Sequence, residues 1–221
     1  MRRAVEMTDQ STYRVRPVTP SDLRSVARVH SLAFPRSALT ILGVGAVRRY
    51  YDWQLRGPHD VTALCIAEGS ELTAFCFGGT FRGALSGFLK KNRRYLLWCV
   101  VTRPWVLMSE VVRQQINTAI QSLSPRYRSW KKPPPPSVPM LRSATFGVLA
   151  IAVHPSKLGT GQGKCLMQCL EATARQRHFP GMHLTVSPEN RTAIDFYERL
   201  GWSRIPAGGV WAGLMRKNLS S

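Results

Sequence analysis

Three glycines at alternate positions, Gly159, Gly161 and Gly163, form the stretch of this sequence best suited to hold an anion. The residues before them, 148–153, are apolar and partly β-branched, which predicts a buried strand. The residues after them form one face of a predicted helix: Leu166, Cys169, Leu170, Thr173 and Ala174. A strand, a glycine loop and a helix start direct backbone N–H groups at one point, and the helix dipole also favours an anion there. The sequence therefore predicts a phosphate-binding loop.

The spacing of these glycines excludes two common nucleotide-binding loops. The dinucleotide fingerprint needs G-x-G-x-x-G, whereas this loop reads G-x-G-x-G. The P-loop needs four residues before its Gly-Lys pair and then Ser or Thr. Here three residues separate Gly159 from Gly163-Lys164, and Cys165 follows. The remaining alternatives are another phosphate-bearing ligand or a glycine-rich turn that binds nothing.

A second block, from His183 to Trp202, reads HLTVSPENRTAIDFYERLGW. Together with the V-H-P-x-x-x-G-x-G-x-G-K motif that begins at Val153, it resembles the GNAT superfamily of N-acetyltransferases in both spacing and order. The resemblance implies an α/β fold with a GNAT-like mixed central sheet flanked by helices, and acetyl-CoA as the acyl donor. Leu158 stands where the family usually has Arg or Gln, so only backbone donors are expected to reach the pyrophosphate at that position.

The resemblance also implies which residues bind the cofactor. The pyrophosphate is expected over seven consecutive residues: Leu158, Gly159, Thr160, Gly161, Gln162, Gly163 and Lys164. The motif strand is expected to contribute Ile151, Ala152 and Val153, with a backbone N–H near Ile151 or Val153 facing the developing oxyanion. Asn190 either caps the following helix or also bonds the pantetheine arm.

Tyr197 stands where the family places the general acid that protonates the departing thiolate, and the alternative is a packing aromatic residue. The group that removes the proton from the amine is left open, because residues 144–153 contain no acid. The candidates are His30, Ser143, Thr145 or a chain of water molecules. Three residues are predicted to line the acceptor pocket: His30, Phe34 and Thr145.

The elements that must position these residues begin with a strand, two helices and a hairpin. The predicted ranges are a strand over 13–18, a helix from about Thr19 to Ala33, a helix over 37–56, and strands over 63–67 and 72–77. The four residues 68–71 form the predicted hairpin turn. This order also resembles the GNAT fold, in which the first helices and their joining loop wall the acceptor pocket.

A basic segment at about 82–142 interrupts the predicted single acetyltransferase domain, 1–221, before the motif strand. It holds twelve Lys or Arg residues against one acid, Glu110, and it includes a predicted helix over 109–123 and an extended piece over 131–136. Three interpretations stay open: a helical flap with a solvated basic face, a contact with an anionic membrane surface, and a pocket for an anionic acceptor. No nucleic-acid motif accompanies the charge, so nucleic acid is not expected as a partner.

Composition indicates one basic globular domain. The chain has 221 residues, 44% of them hydrophobic, and a formal net charge of +19. Its five cysteines lie mostly in apolar runs, which predicts reduced core residues of a cytoplasmic protein. If the basic segment contacts lipid, the protein is expected at the periphery of the inner membrane face. Met1 to Gln10 lacks the apolar run of a secretory signal, no stretch is long enough for a spanning helix, and no metal-ligand spacing occurs.

The expected activity is transfer of an acetyl group from acetyl-CoA to a primary amine of a small acceptor. The basic segment favours an acceptor with phosphate or carboxylate, such as an anionic amino sugar. The alternatives are a non-catalytic acyl-CoA-binding protein, and an acetyltransferase of a protein N-terminus or lysine.

Overall fold

A computed structural model describes residues 13–81, 84–103, 145–206 and 211–219. Seven strands form one mixed sheet in the order β1-β2-β3-β4-β5-β7-β6. Their bounds are β1 Val15–Pro17, β2 Asp60–Glu68, β3 Glu71–Thr80, β4 Phe146–Val153, β5 Gly181–Thr185, β6 Ser203–Arg204 and β7 Leu214–Asn218. β4 and β5 run parallel, and the other neighbouring pairs run antiparallel. The predicted mixed α/β sheet is confirmed.

The described helices cover both faces of this sheet. Their bounds are α1 Leu23–Ala33, α2 Ala38–Ile41, α3 Val44–Arg56, α4 Ala84–Thr102, α5 Gln162–Gln176 and α6 Arg191–Arg199, with short 3-10 turns at Pro20–Asp22 and Pro155–Lys157. α1 and α3 contribute to one hydrophobic cluster, with side chains such as Val26 and Tyr51. α5 and α6 contribute to the other, with Leu166 and Ile194. Two apolar layers therefore enclose the strands that carry the predicted site.

The prediction of one helix over 37–56 is wrong. The helix divides into α2 and α3 at Gly43, whose φ of +100° lies in the region that glycine adopts readily and an α-helix does not. The Arg103 guanidinium lies where a side chain at position 43 would project, so glycine also leaves room for this contact. The hairpin turn at 68–71 is confirmed, and both of its strands extend beyond the predicted ranges.

The described part of the basic segment is the helix α4, which packs against α3. The ring of Phe88 lies 5.3 Å from that of Tyr50, and Lys91 lies over the ring of Trp53. α4 ends at Thr102, just before Arg103-Pro104. The predicted helix over 109–123 and the extended piece over 131–136 lie outside the described residues.

Two further predictions concern the cysteines and a membrane span. None of the five cysteines, all of which lie among the described residues, forms a disulfide bond, and four of them are buried. No helix within the described ranges combines the length and the apolar character needed to cross a bilayer.

Candidate active site

The site is built around an opening between β4 and β5. The two strands pair only at Phe146 with Met182 and at Gly147 with His183. Beyond that point β5 stays with β7 while β4 stays with β3, so residues 148–153 of β4 have no strand on their second side. An unpaired strand edge leaves backbone donors and acceptors free for a ligand.

A β-bulge at Leu149 accompanies this divergence. Phe77 pairs with Ala150 and Gly78 pairs with Val148, so Leu149 is the extra residue on β4. A bulge bends its strand and increases the local twist. The bulge lies two residues after Gly147, the last residue of β4 that pairs with β5, where the two strands diverge.

The backbone N–H groups of Ile151 and Val153 point into the opening. The His154 N–H donates to the Thr73 carbonyl on β3, and alternate residues of a strand direct their N–H groups to opposite edges. Val153 and Ile151 therefore face away from β3. The N–H of Ala152, which lies between them, points toward β3 and therefore does not reach the open edge. The side chain of Ala152 packs into the cluster of α1 and α3.

The glycine loop has the backbone geometry of an anion site. Gly159 and Gly161 have φ values of +79° and +91°, and a Cβ at either position would meet no atom within 4 Å. Gly161 is the N-cap of α5, and no side chain caps this helix. The N–H groups of its first turn, from Gln162 to Lys164, therefore lack an intrahelical acceptor. Together with the open edge of β4, this cradle fits the phosphates and the extended arm of an acyl-CoA.

The side chain of Leu158 is 68% exposed. Gly163 differs from Gly159 and Gly161 in that its surroundings are closely packed. A Cβ there would lie 3.5 Å from Phe196 and 3.6 Å from Val153, so the glycine lets α5 start close to β4 and α6.

Tyr197 lies on α6 in the hydrophobic cluster that also contains Val148, Ile151 and Val153. It is 8% exposed, and burial raises the pKa of its hydroxyl to about 12. A phenol in this state keeps its proton at neutral pH, as a proton donor must. Asn190 caps α6, because its side-chain oxygen accepts a hydrogen bond of 3.1 Å from the Ala193 N–H.

His30 is buried, and both of its ring nitrogens are engaged. Nδ1 lies 2.9 Å from the Tyr51 hydroxyl, and Nε2 lies 3.1 Å from the Ser37 hydroxyl, which in turn caps α2. Burial lowers the pKa of His30 to about 4. The imidazole is therefore neutral and holds the α1–α2 connection in place, a role for which its helical spacing alone gave no signal.

The other two predicted acceptor residues lie apart. Phe34 packs against His30, with ring centroids 5.0 Å apart, on the face of the sheet that carries α1 and α3. Thr145 lies before β4, at the end where β4 and β5 are paired, and its hydroxyl is 2.9 Å from His183 Nδ1. The structure thus brings Phe34 and His30 into contact, whereas Thr145 contacts His183 of β5. Ser143 lies outside the described residues.

One contact at the loop was not predicted from the sequence. Glu68, at the end of β2, accepts hydrogen bonds from Lys157 Nζ at 2.5 Å and from Gln162 Nε2 at 2.8 Å. These residues are too far apart in sequence for any local pattern to reveal the contact. No cluster of His, Cys, Asp or Glu able to hold a metal ion occurs within the described ranges.

A family of known proteins matches the part of the chain that contains β4, the glycine loop, α5 and α6. Residues 124–202 match the acetyltransferase (GNAT) family. This part of the chain is similar to a GNAT acetyltransferase domain. The enzyme class expected from the two motifs, an N-acetyltransferase, is confirmed at this level, and acetyl-CoA is the usual donor of the family.

Solved structures of acetyltransferases share this fold over nearly the whole chain. The ribosomal-protein-S18-alanine N-acetyltransferase from Escherichia coli has a TM-score of 0.54 at 14% identity, covering 95% of this chain and 96% of its own. The PaiA N-acetyltransferase from Thermoplasma acidophilum, solved with coenzyme A, has a TM-score of 0.54 at 11% identity, covering 94% and 99%. The Salmonella typhimurium protein yncA, solved with its cofactor acetyl-CoA, has a TM-score of 0.52 at 17% identity, covering 95% of each chain.

Proposed function

We propose that this GNAT domain acetylates the primary amine of a small acceptor that also carries phosphate or carboxylate. The observation that supports the anionic acceptor is the charge of α3 and α4. These two helices hold seven Lys or Arg residues and one acid, Asp52, which already pairs with Arg56. Excess positive charge on one face of a protein attracts anions and repels polyamines and basic peptides.

Individual residues take the following roles in the proposed reaction. When bound, acetyl-CoA supplies the thioester from which the acetyl group is transferred to the amine. The first-turn N–H groups of α5 and the loop from Leu158 to Lys164 hold its pyrophosphate. The N–H groups of Ile151 and Val153 bind the extended arm and the oxygen on which negative charge develops. Tyr197 donates the proton that the sulfur takes up, and Asn190 fixes the start of the helix that carries Tyr197.

The acceptor class is tested with a panel of amines, read by release of free thiol from acetyl-CoA. We expect a phosphorylated amino sugar to be acetylated with a higher kcat/KM than spermidine or a lysine peptide. Its KM should rise about five- to ten-fold between about 50 and 300 mM salt, because salt screens attraction between exposed charges.

Two positions are suited to test the source of this attraction. Arg49 lies over the ring of Tyr95, 4.3 Å from its centroid, and Arg103 lies beside Gly43 at the junction of α2 and α3. The double variant Arg49→Gln/Arg103→Gln should raise KM and flatten its salt dependence, while Arg56→Gln serves as the control because Asp52 neutralises it. A KM that does not change with salt, or spermidine as the better substrate, contradicts an anionic acceptor.

We also propose that the outer face of α4 contacts an anionic membrane surface. Leu97, Trp98 and Val101 on this face are 65%, 60% and 70% exposed, and the preceding turns expose Lys90, Lys91, Arg93 and Arg94. An exposed apolar patch beside basic side chains is typical of helices that lie in a lipid interface, where Trp and Leu enter the headgroup region.

Vesicle flotation tests this contact. The protein should float with phosphatidylcholine vesicles that contain phosphatidylserine and should stay at the bottom with phosphatidylcholine alone. The variant Trp98→Ser/Val101→Ser should lose flotation, whereas Leu32→Ser, which removes an exposed apolar side chain from α1, should keep it. Equal flotation of the two variants, or none for the unaltered protein, rules out this face as the contact.

A further inference from the structure

One carboxylate joins the two ends of the glycine loop. Glu68 lies at the tip of the β2–β3 hairpin, and its two oxygens accept from different donors. Oε2 lies 2.5 Å from Lys157 Nζ, just before the loop, and Oε1 lies 2.8 Å from Gln162 Nε2, just after it. The four residues between these donors, 158–161, are the turn that carries Gly159 and Gly161.

The loop has few other restraints of its own. Residues 158–161 are exposed, and a Cβ at either positive-φ glycine would meet no neighbouring atom. The Tyr13 hydroxyl donates to the Thr160 carbonyl at 2.5 Å, and the Thr160 hydroxyl donates back to the Lys157 carbonyl at 2.8 Å. A glycine-rich turn without packed side chains has many accessible backbone conformations, so external contacts must select one of them.

The contact with Glu68 affects the start of α5 through Gln162, the first residue of that helix. Its side chain is fully buried, and its Oε1 has no hydrogen-bond partner among the described residues. Among the described residues, the hydrogen bond that Nε2 donates to Glu68 is therefore the contact that satisfies this buried amide. Without it both ends of the amide would lack a partner in a buried site, which favours a shift of the first turn of α5.

The charge arrangement agrees with a positioning role. Lys157 forms an ion pair with Glu68, and the hydrogen bond that it donates to this carboxylate raises the pKa of the lysine. Lys157 therefore stays charged and neutralises a carboxylate that would otherwise repel a phosphate at the loop. The ion pair holds the loop while adding little net charge to it.

We propose that Glu68 is a positioning residue for the cofactor loop: by holding Lys157 and Gln162 together, it keeps the first-turn N–H groups of α5 in the orientation that binds the pyrophosphate of acetyl-CoA. This inference rests on the proposed assignment of the loop to that cofactor. Glu68 acts through the loop backbone, and it contacts neither the acceptor amine nor the thioester.

The experiment compares three variants of the full chain. Glu68→Ala removes both bonds, and Glu68→Gln removes the ion pair but keeps an oxygen for Gln162. Glu71→Ala is the matched control, because Glu71 is the residue directly opposite Glu68 in the hairpin, and its loss changes the net charge equally. Calorimetry gives Kd for coenzyme A, steady-state assays give KM and kcat, and thermal unfolding gives Tm.

We expect Glu68→Ala to raise Kd for coenzyme A and KM for acetyl-CoA about ten-fold, the effect of about one charge-assisted hydrogen bond, with kcat changed less than about two-fold. Glu68→Gln should recover part of this loss, and Glu71→Ala should match the unaltered protein. An additional replacement, Gln162→Leu, should recover stability in the Glu68→Ala background by removing the buried amide.

Several outcomes would overturn the proposal. If Glu68→Ala lowers Tm but leaves Kd and KM unchanged, the contact serves stability alone. If Kd decreases, Glu68 acts on the phosphates as a repelling charge. If Glu71→Ala weakens binding equally, the cause is net charge and not the two bonds. Failure of the unaltered protein to bind coenzyme A is a separate result, which contradicts the assignment of the loop to the cofactor.

Discussion

Replacing Gly161 with valine should weaken binding of coenzyme A by about 100-fold or more, equivalent to about 2.7 kcal/mol. Gly161 has a φ of +91° and precedes the first N–H groups of α5. A β-branched residue disfavours this conformation, and its side chain would occupy open space beside the donors where phosphate oxygens are expected. Calorimetric titration of coenzyme A measures the loss directly.

Gly161→Val could weaken binding either by straining the backbone at a positive φ or by placing a side chain in the phosphate site, and a control must separate these two effects. Gly201 offers a matched control, because its φ is +81° and a Cβ there would meet one side-chain atom, on Lys217, at 3.8 Å. Gly201→Val should lower Tm to a similar extent as Gly161→Val and leave Kd unchanged. Equal Kd values for Gly161→Val and the unaltered protein would remove the cofactor site from this loop.

Replacing Tyr197 with phenylalanine should lower kcat by about ten- to a thousand-fold, with little change in KM for acetyl-CoA. The substitution keeps the ring, which packs at 5.2 Å from Phe196 and 6.0 Å from Trp202, and removes the hydroxyl alone. Because burial raises the pKa of this hydroxyl to about 12, it carries its proton at neutral pH and can give it to a thiolate.

A second tyrosine separates loss of a proton donor from a general effect of removing a phenol. Tyr95→Phe removes a hydroxyl on α4, from a ring that lies under Arg49 of α3, and should keep kcat within about two-fold. With an acyl donor whose thiol has a lower pKa than that of coenzyme A, the leaving group needs less help from a proton donor. The loss of kcat in Tyr197→Phe should then be smaller. Full kcat in Tyr197→Phe would leave Tyr197 as a packing residue.

The sequence by itself determined the elements whose patterns are local. A short apolar run, His-Pro and three glycines specified where β4 ends and α5 begins, and the helical spacing after them agrees with the buried face of α5. Asn190 as a helix cap is a similar case, since the residue type and the helix it precedes are adjacent in the chain. These features depend on interactions over a few residues, so a pattern in the sequence is enough to find them.

The pattern over 37–56 shows where local reasoning fails. Apolar residues at helical spacing continue through Gly43, and spacing alone cannot report a positive φ. Arg103, which follows α4 and is distant in sequence, lies where a side chain at this glycine would project. His30 is a parallel case, because its neutral state follows from burial against Tyr51 and Ser37 and not from its position on α1.

Only the tertiary structure decided how the site opens and what holds it. The divergence of β4 from β5, the bulge at Leu149 and the direction of the Ile151 and Val153 N–H groups are all properties of strand pairing, and pairing joins segments that are distant in the chain. Glu68 reaches the glycine loop for the same reason, because it lies on a hairpin 89 residues before Lys157 and 94 before Gln162. Register and long-range contacts are fixed by the packing of the whole sheet, so no window of the sequence contains them.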